Sequence, residues 1–143
     1  MPKTPMIRQT TSNGCAWACI QMILCSHSFE PTLHLPIIPK KITDGIKKVS
    51  IRDLSSTFRL YGLRVRSWWL HEHELKNLTL PSIILFGKNH YAILVETNEQ
   101  FSLIKDPRRG YLRISKTALD RLFGNIAIEI LSNKTRQQSN RHS

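Results

Sequence analysis

Apolar and polar positions along the chain fall into two regimes, helical spacing first and strand-like runs later. Just after Gly14, the apolar residues Trp17, Ile20, Met22, Ile23 and Leu24 predict a largely buried helix, capped by Asn13 and lasting to about Cys25. Prolines at 31, 36 and 39 break regular structure, so residues 29–44 are expected to form an extended connection. Ser50 then caps a second helix, whose apolar positions Ile51, Leu54, Phe58 and Leu60 end at Gly62. Leu63–Trp69 reads as a strand and residues 71–77 as a short helix.

After Pro81 the period shortens. Strands are predicted at Ser82–Phe86, 90–96, Phe101–Asp106, 111–115 and 125–131, separated by the turn signals Gly87-Lys-Asn, Thr97-Asn-Glu-Gln and Pro107-Arg-Arg-Gly. Ser115 starts one more helix, closed by Gly124. Helices followed by an antiparallel sheet give the α+β class. The sequence contains no internal repeat and no G-x-x-x-x-G-K-[ST] phosphate loop, so ATP hydrolysis by that route is excluded.

Length and composition add bounds. At 143 residues the chain makes one domain, expected to run over residues 1–131 with a basic, disordered tail at 132–143 that contains no apolar residue. Apolar residues make up 41% of the chain, with no run near the roughly 20 that a membrane-spanning helix needs. The start, MPKTPMIRQ, has basic residues but no apolar segment after them, so no secretory signal is read and a soluble, cytoplasmic product is expected. Three cysteines cannot all pair, and Cys15 and Cys19 lie one helical turn apart, which fits a reducing compartment. A formal net charge of +11 suits an acidic partner, but the basic residues are scattered along the chain, which weakens a nucleic-acid reading.

The chemistry-bearing residues fall at particular places in this pattern. His90 and Asp106 stand at the start of one predicted strand and the end of the next, and their midpoint, Asn98, lies in the intervening turn. A hairpin symmetric about that turn makes them cross-strand partners on one face, roughly 5 Å apart at Cβ. A carboxylate on one ring nitrogen fixes the histidine tautomer and frees the other nitrogen to take a proton from a nucleophile. Cys15 is the matching nucleophile, because the first turn of a helix favours a thiolate. Gln9 could then donate its side-chain amide, with the Cys15 backbone N–H, to a tetrahedral oxyanion.

These pieces together resemble the papain-like bacteriocin-processing cysteine peptidases, cysteine peptidase family thirty-nine. The resemblance rests on Gln9 six residues before Cys15, the run Cys15-Ala-Trp-Ala-Cys19-Ile-Gln-Met-Ile-Leu24, Leu80-Pro81-Ser-Ile-Ile, Asn89-His90-Tyr-Ala-Ile-Leu-Val, and Lys105-Asp106-Pro107 followed by Gly110. It implies a papain-like fold and cleavage of a leader peptide after a double glycine. By position, Cys15 becomes the nucleophile, His90 the general base and acid, Asp106 the orienting carboxylate and Gln9 the oxyanion donor. It also implies a leader peptide as substrate and an ABC transporter at the inner membrane as partner, with no cofactor or metal. Gly14 and Ala16 depart from the acidic residue and the glycine that flank the family's cysteine. A catalytically silent leader-binding domain and a basic nucleic-acid-binding module are the alternative classes.

Other residues read more plainly. Cys19 and Cys25 are expected as small core residues, and His71-Glu-His73 as surface histidines without a third metal ligand. Trp68 and Trp69 are expected to alternate in burial along a strand, and Gly110 to serve a turn.

Overall fold

The computed structural model describes residues 5–27 and 38–133. Helix α1 spans Cys15–Ser26, α2 Lys40–Asp44 and α3 Ile51–Leu60; β1 follows at Leu63–Trp69 and a 3-10 turn at Glu72–Asn77. Strands β2 (Ser82–Phe86), β3 (Tyr91–Thr97), β4 (Phe101–Asp106) and β5 (Gly110–Ser115) lead to α4 (Lys116–Leu122) and β6 (Phe123–Asn133). The strands form one six-stranded antiparallel sheet in the order β1-β6-β2-β3-β4-β5. The α+β expectation holds.

Strand alternation divides the core in two. Ile83, Tyr91, Ile93, Ile128 and Ile130 pack with α1 and α3 residues such as Ile20, Ile23, Leu54 and Phe58. Their chain neighbours Ile84, Ala92, Leu94 and Ala127 join a second cluster with Leu75, Leu119 and Phe123. The sheet is thus covered on both faces, and α1 lies against β3, the strand that His90 precedes.

Local expectations were met where a side chain does the capping. Ser50 accepts the Asp53 N–H at 3.0 Å and Ser115 the Ala118 N–H at 3.1 Å, as residues at the start of a helix do. Gly62 follows α3 with φ 80.

Elsewhere the structure corrects the sequence reading. Gly14, not Asn13, caps α1, and the Asn13 amide donates instead to the Ile46 carbonyl at 2.7 Å. Part of the expected extended connection, Lys40–Asp44, is helical, with Pro39 as its N-cap, and residues 28–37 lie outside those described. The tail expected over 132–143 does not begin at 132, because β6 continues to Asn133 in pairing with β1; the rest of it, from residue 134, lies outside the described residues. Gly124 does not close α4, because β6 already begins at Phe123. Its role is close approach: a Cβ there would lie 2.8 Å from Leu85 Cγ and Cδ2.

Trp68 and Trp69 do not alternate in burial; both are exposed, Trp69 because α3 covers its face of β1 only as far as the Ser55–Ser67 hydroxyl contact, while Trp68 lies on the other face with its indole N–H donating to Glu129 Oε1 at 3.0 Å. Cys25 is exposed rather than in the core.

Replacing Gly124 with alanine therefore forces Leu85 to move within a packed sheet. Urea denaturation of Gly124→Ala should show a loss of about 1–3 kcal/mol; an unchanged midpoint would mean that Leu85 yields freely.

Candidate active site

Three residues expected to carry chemistry come together at the end of the sheet where β3 begins and β4 ends. Cys15 opens α1 and is 7% exposed, His90 immediately precedes β3 and Asp106 is the last residue of β4. As the first residue of its helix, Cys15 has a backbone N–H with no intrahelical carbonyl to reach.

His90 and Asp106 meet, but not in the expected register. Ile93 pairs with Lys105 and Leu94 with Ile104, while the turn closes from Asn98 N–H to Phe101 O and the strand shifts between Leu94 and Glu96. Asp106 therefore falls opposite Ala92, two residues beyond His90, and the contact is diagonal. A slip of two residues preserves the face, whereas a slip of one would have turned the side chains apart. His90 Nε2 and Asp106 Oδ1 lie 2.5 Å apart with both side chains buried.

Asp106 also shapes its own turn, its Oδ1 accepting the Arg108 N–H at 2.8 Å and, more weakly, the Arg109 N–H at 3.4 Å. Gly110, φ 96, then starts β5 opposite it, as the turn reading required. Gln9 joins this turn through its backbone, donating to Pro107 O at 2.9 Å, while Arg8 Nη2 donates to Arg108 O at 2.8 Å. The Gln9 side chain is turned to the loop before α1: its Nε2 donates to Thr11 O at 2.8 Å and to Ser12 O at 3.3 Å.

The pattern of unmet polar atoms is concentrated here. Among the described residues, the buried side-chain atoms without a hydrogen-bond partner are Gln9 Oε1, His90 Nδ1 and Asp106 Oδ2. Buried polar atoms are ordinarily satisfied, and such exceptions gather where a ligand or a reacting group is to be met. With Nε2 on Asp106, the unpaired Nδ1 is the ring nitrogen left for Cys15, whose thiol is close enough for the two to perturb each other.

That perturbation has opposite signs on the two groups. Burial pushes the Cys15 thiol up, but interaction with the His90 ring, its charge, and the backbone N–H groups of Tyr91 and Ala16 bring it below its ordinary value. Burial pulls His90 down, but Asp106 and Cys15 outweigh it and raise its pKa to about 9. For Asp106 burial again works upward, and His90 with the Arg108 and Arg109 N–H groups carries the net shift downward. These directions favour a thiolate facing an imidazolium. Tyr91 and Ala16 went unnoticed in the sequence because backbone donors leave no residue-type signal.

Other candidates lie elsewhere. Cys19 is fully buried and its pKa rises well above normal through burial, with the charges of Cys15 and Asp106 adding. His71 and His73 stack on each other with ring centroids 5.8 Å apart. Among the described residues no His, Cys, Asp and Glu side chains group to hold a metal, and no helix is long and apolar enough to cross a membrane.

The His90–Asp106 pair gives a pH signature. The raised His90 pKa contributes stability fully present below about 6.5 and lost as pH rises through about 9; the lowered Asp106 pKa contributes stability present above 3.8 and lost on acidification below it. The thermal midpoint of Asp106→Asn should therefore fall furthest below that of the intact protein between about pH 4 and 6.5, and the gap should narrow above pH 9. A gap constant up to pH 10 would mean that the two groups are not coupled.

The chain is similar to known proteins in sequence and in fold. The model of the "Peptidase C39 family" matches residues 3–135. The colicin V secretion/processing ATP-binding protein CvaB of Escherichia coli is 27% identical over 128 residues, which are 90% of this chain and 18% of that protein. The chain thus spans about a fifth of the length of that relative.

Among solved structures, a double glycine motif protease from an AMS/PCAT transporter, in complex with the leader peptide, superposes with a TM-score of 0.76 at 25% identity, covering 90% of this chain and 91% of the other. The peptidase domain of Streptococcus ComA shares the fold, with a TM-score of 0.72 at 17% identity over 90% of this chain and 98% of its own. The α+β architecture is accordingly the papain-like one.

Proposed function

The chain belongs to the peptidase C39 family of cysteine peptidases, and from that premise we propose that it cleaves the leader of an exported peptide after a double glycine, using Cys15, His90, Asp106 and Gln9. The observation that carries the assignment of residues is the His90 ring: Nε2 is held by Asp106, and Nδ1 is buried and unpaired beside the thiol at the start of α1.

The steps follow from the positions. The Cys15 thiolate attacks the carbonyl carbon of the glycine before the scissile bond, forming the C–S bond and moving the carbonyl electrons onto oxygen. That oxyanion takes hydrogen bonds from the Cys15 N–H and from Gln9 Nε2, whose 3.3 Å contact to Ser12 O is the weaker of its two and the one to be exchanged. His90, as imidazolium, gives its Nδ1 proton to the leaving amine as the C–N bond breaks. The neutral ring then takes a proton from water, which attacks the thioester and releases the leader with a free carboxylate. Asp106 keeps the ring in one tautomer and orientation throughout.

Substrate recognition has a place beside the chemistry. A recess of about 370 Å³ is lined by Ile51, Leu85, Tyr91 and Ile126, with Ser50 and Lys48 also bordering it, and Tyr91 is the residue after His90. Its apolar walls suit the apolar face of a leader helix docked in a groove. The reading places the protein at the cytoplasmic face of the membrane, acting with an ABC transporter that exports the trimmed peptide.

The test is cleavage of a double-glycine leader peptide by purified protein. Cys15→Ala should abolish turnover while retaining leader binding, and Gln9→Ala should lower kcat by about a hundredfold to a thousandfold. Cleavage by Cys15→Ala at the rate of the intact protein would overturn the nucleophile assignment; tight binding without cleavage by the intact protein would identify a silent leader-binding member instead.

A further inference from the structure

Residues 45–49, between α2 and α3, are bonded to both halves of the site. On the cysteine side, Gly45 O accepts the Asn13 N–H at 3.1 Å and Ile46 O accepts Asn13 Nδ2 at 2.7 Å. Gly45, φ 64, approaches so closely that a Cβ there would lie 1.9 Å from Thr11 Oγ1 and 3.1 Å from Gly14 Cα. On the histidine side, Lys48 Nζ donates to Asn89 Oδ1 at 2.6 Å and Val49 O accepts the Tyr91 hydroxyl at 2.7 Å. Asn89 has φ 55, a left-handed turn conformation that asparagine tolerates, and the Lys48 bond holds its side chain there.

These bonds join two segments that the sheet holds unequally. Cys15 follows a loop outside the sheet, whereas His90, just before β3, is tied to β2 by its carbonyl accepting the Phe86 N–H at 2.7 Å, so backbone pairing anchors the histidine segment but not the cysteine loop. We propose that residues 45–49 form a strap that sets the separation of Cys15 from His90, with Asn13 and Lys48 as its two positioning residues.

The proposal rests on the reading of Cys15 and His90 as a reacting pair. Neither Asn13 nor Lys48 touches the reacting atoms; each holds a loop that presents one of them. Loosening either end lets the thiol and the ring drift apart, so the pair forms less readily.

Alkylation of Cys15 by iodoacetamide between pH 6 and 9, resolved from Cys19 and Cys25 by peptide mass spectrometry, tests this. The groups that act on Cys15 are His90 and the backbone donors. Tyr91, pushed up to about 12 by burial, and Cys19, also raised by burial, stay neutral over that range.

Lys48 is exposed, so Lys48→Met probes the strap without opening the core. Its Cys15 should alkylate about threefold to tenfold more slowly at pH 7, with the profile moved toward that of an ordinary thiol. Asn13→Ala should move it in the same direction, and Lys48→Arg should restore most of the rate. Lys47→Met, which removes a neighbouring charge, should leave the profile in place, and the Lys48→Met shift should persist in 0.5 M salt, where exposed charges are screened.

An unshifted profile in Lys48→Met, or a shift abolished by salt, overturns the strap if His90→Ala still slows the thiol. If His90→Ala has no effect either, the reacting pair itself is wrong.

Discussion

The site depends first on the buried hydrogen bond between His90 Nε2 and Asp106 Oδ1. A carboxylate that is 1% exposed is costly unless partnered, and Asp106 is partnered by an imidazole and by the N–H groups of its own turn. One side chain thereby fixes the shape of the β4–β5 turn and the orientation of the histidine. Once Nε2 is committed, Nδ1 must point away from β4, and the beginning of α1 is where the chain supplies a thiol.

Two thiols on one helix show what that arrangement adds. Cys15 and Cys19 stand one turn apart and are both buried, yet their pKa values shift in opposite directions. Burial acts upward on each. Only Cys15 has His90 and two backbone N–H groups beside it, and these reverse the sign. The direction of the shift is therefore set by the partners brought to the helix N-terminus by β3 and its preceding turn, rather than by exposure of the thiol. The residues linking α2 to α3 complete this geometry by joining the loop before α1, which lies outside the sheet, to the segment that carries His90.

Much of this was legible in the sequence because apolar periodicity reports which face of an element is buried. Leu63–Trp69, Ser82–Phe86 and Phe101–Asp106 were read to their ends, and Cys15 was placed where a polar turn enters a helix. The facing of His90 and Asp106 survived an incorrect register because the error was an even number of residues. What stayed hidden depends on tertiary partners. Asn13 is a competent N-cap whose amide finds a better acceptor in the Ile46 carbonyl, and Gly124 resembles a helix stop but makes room for Leu85. Trp69 and Cys25 are exposed because no neighbouring element covers them, which a one-dimensional pattern cannot show. The strap escaped notice for a similar reason: Gly87-Lys-Asn89 reads as a turn, and nothing in it names Lys48 as the residue that anchors it.

The central claim is that His90 is an imidazolium at neutral pH, clamped by Asp106 and facing Cys15. The direct measurement is the pH titration of the His90 ring nitrogens by ¹⁵N NMR in the intact protein. Both nitrogens should stay protonated beyond pH 8, with a midpoint near 9. A midpoint near the ordinary histidine value of about 6.5 would contradict the account, leaving a neutral ring beside an ordinary thiol at the pH where the peptidase must work.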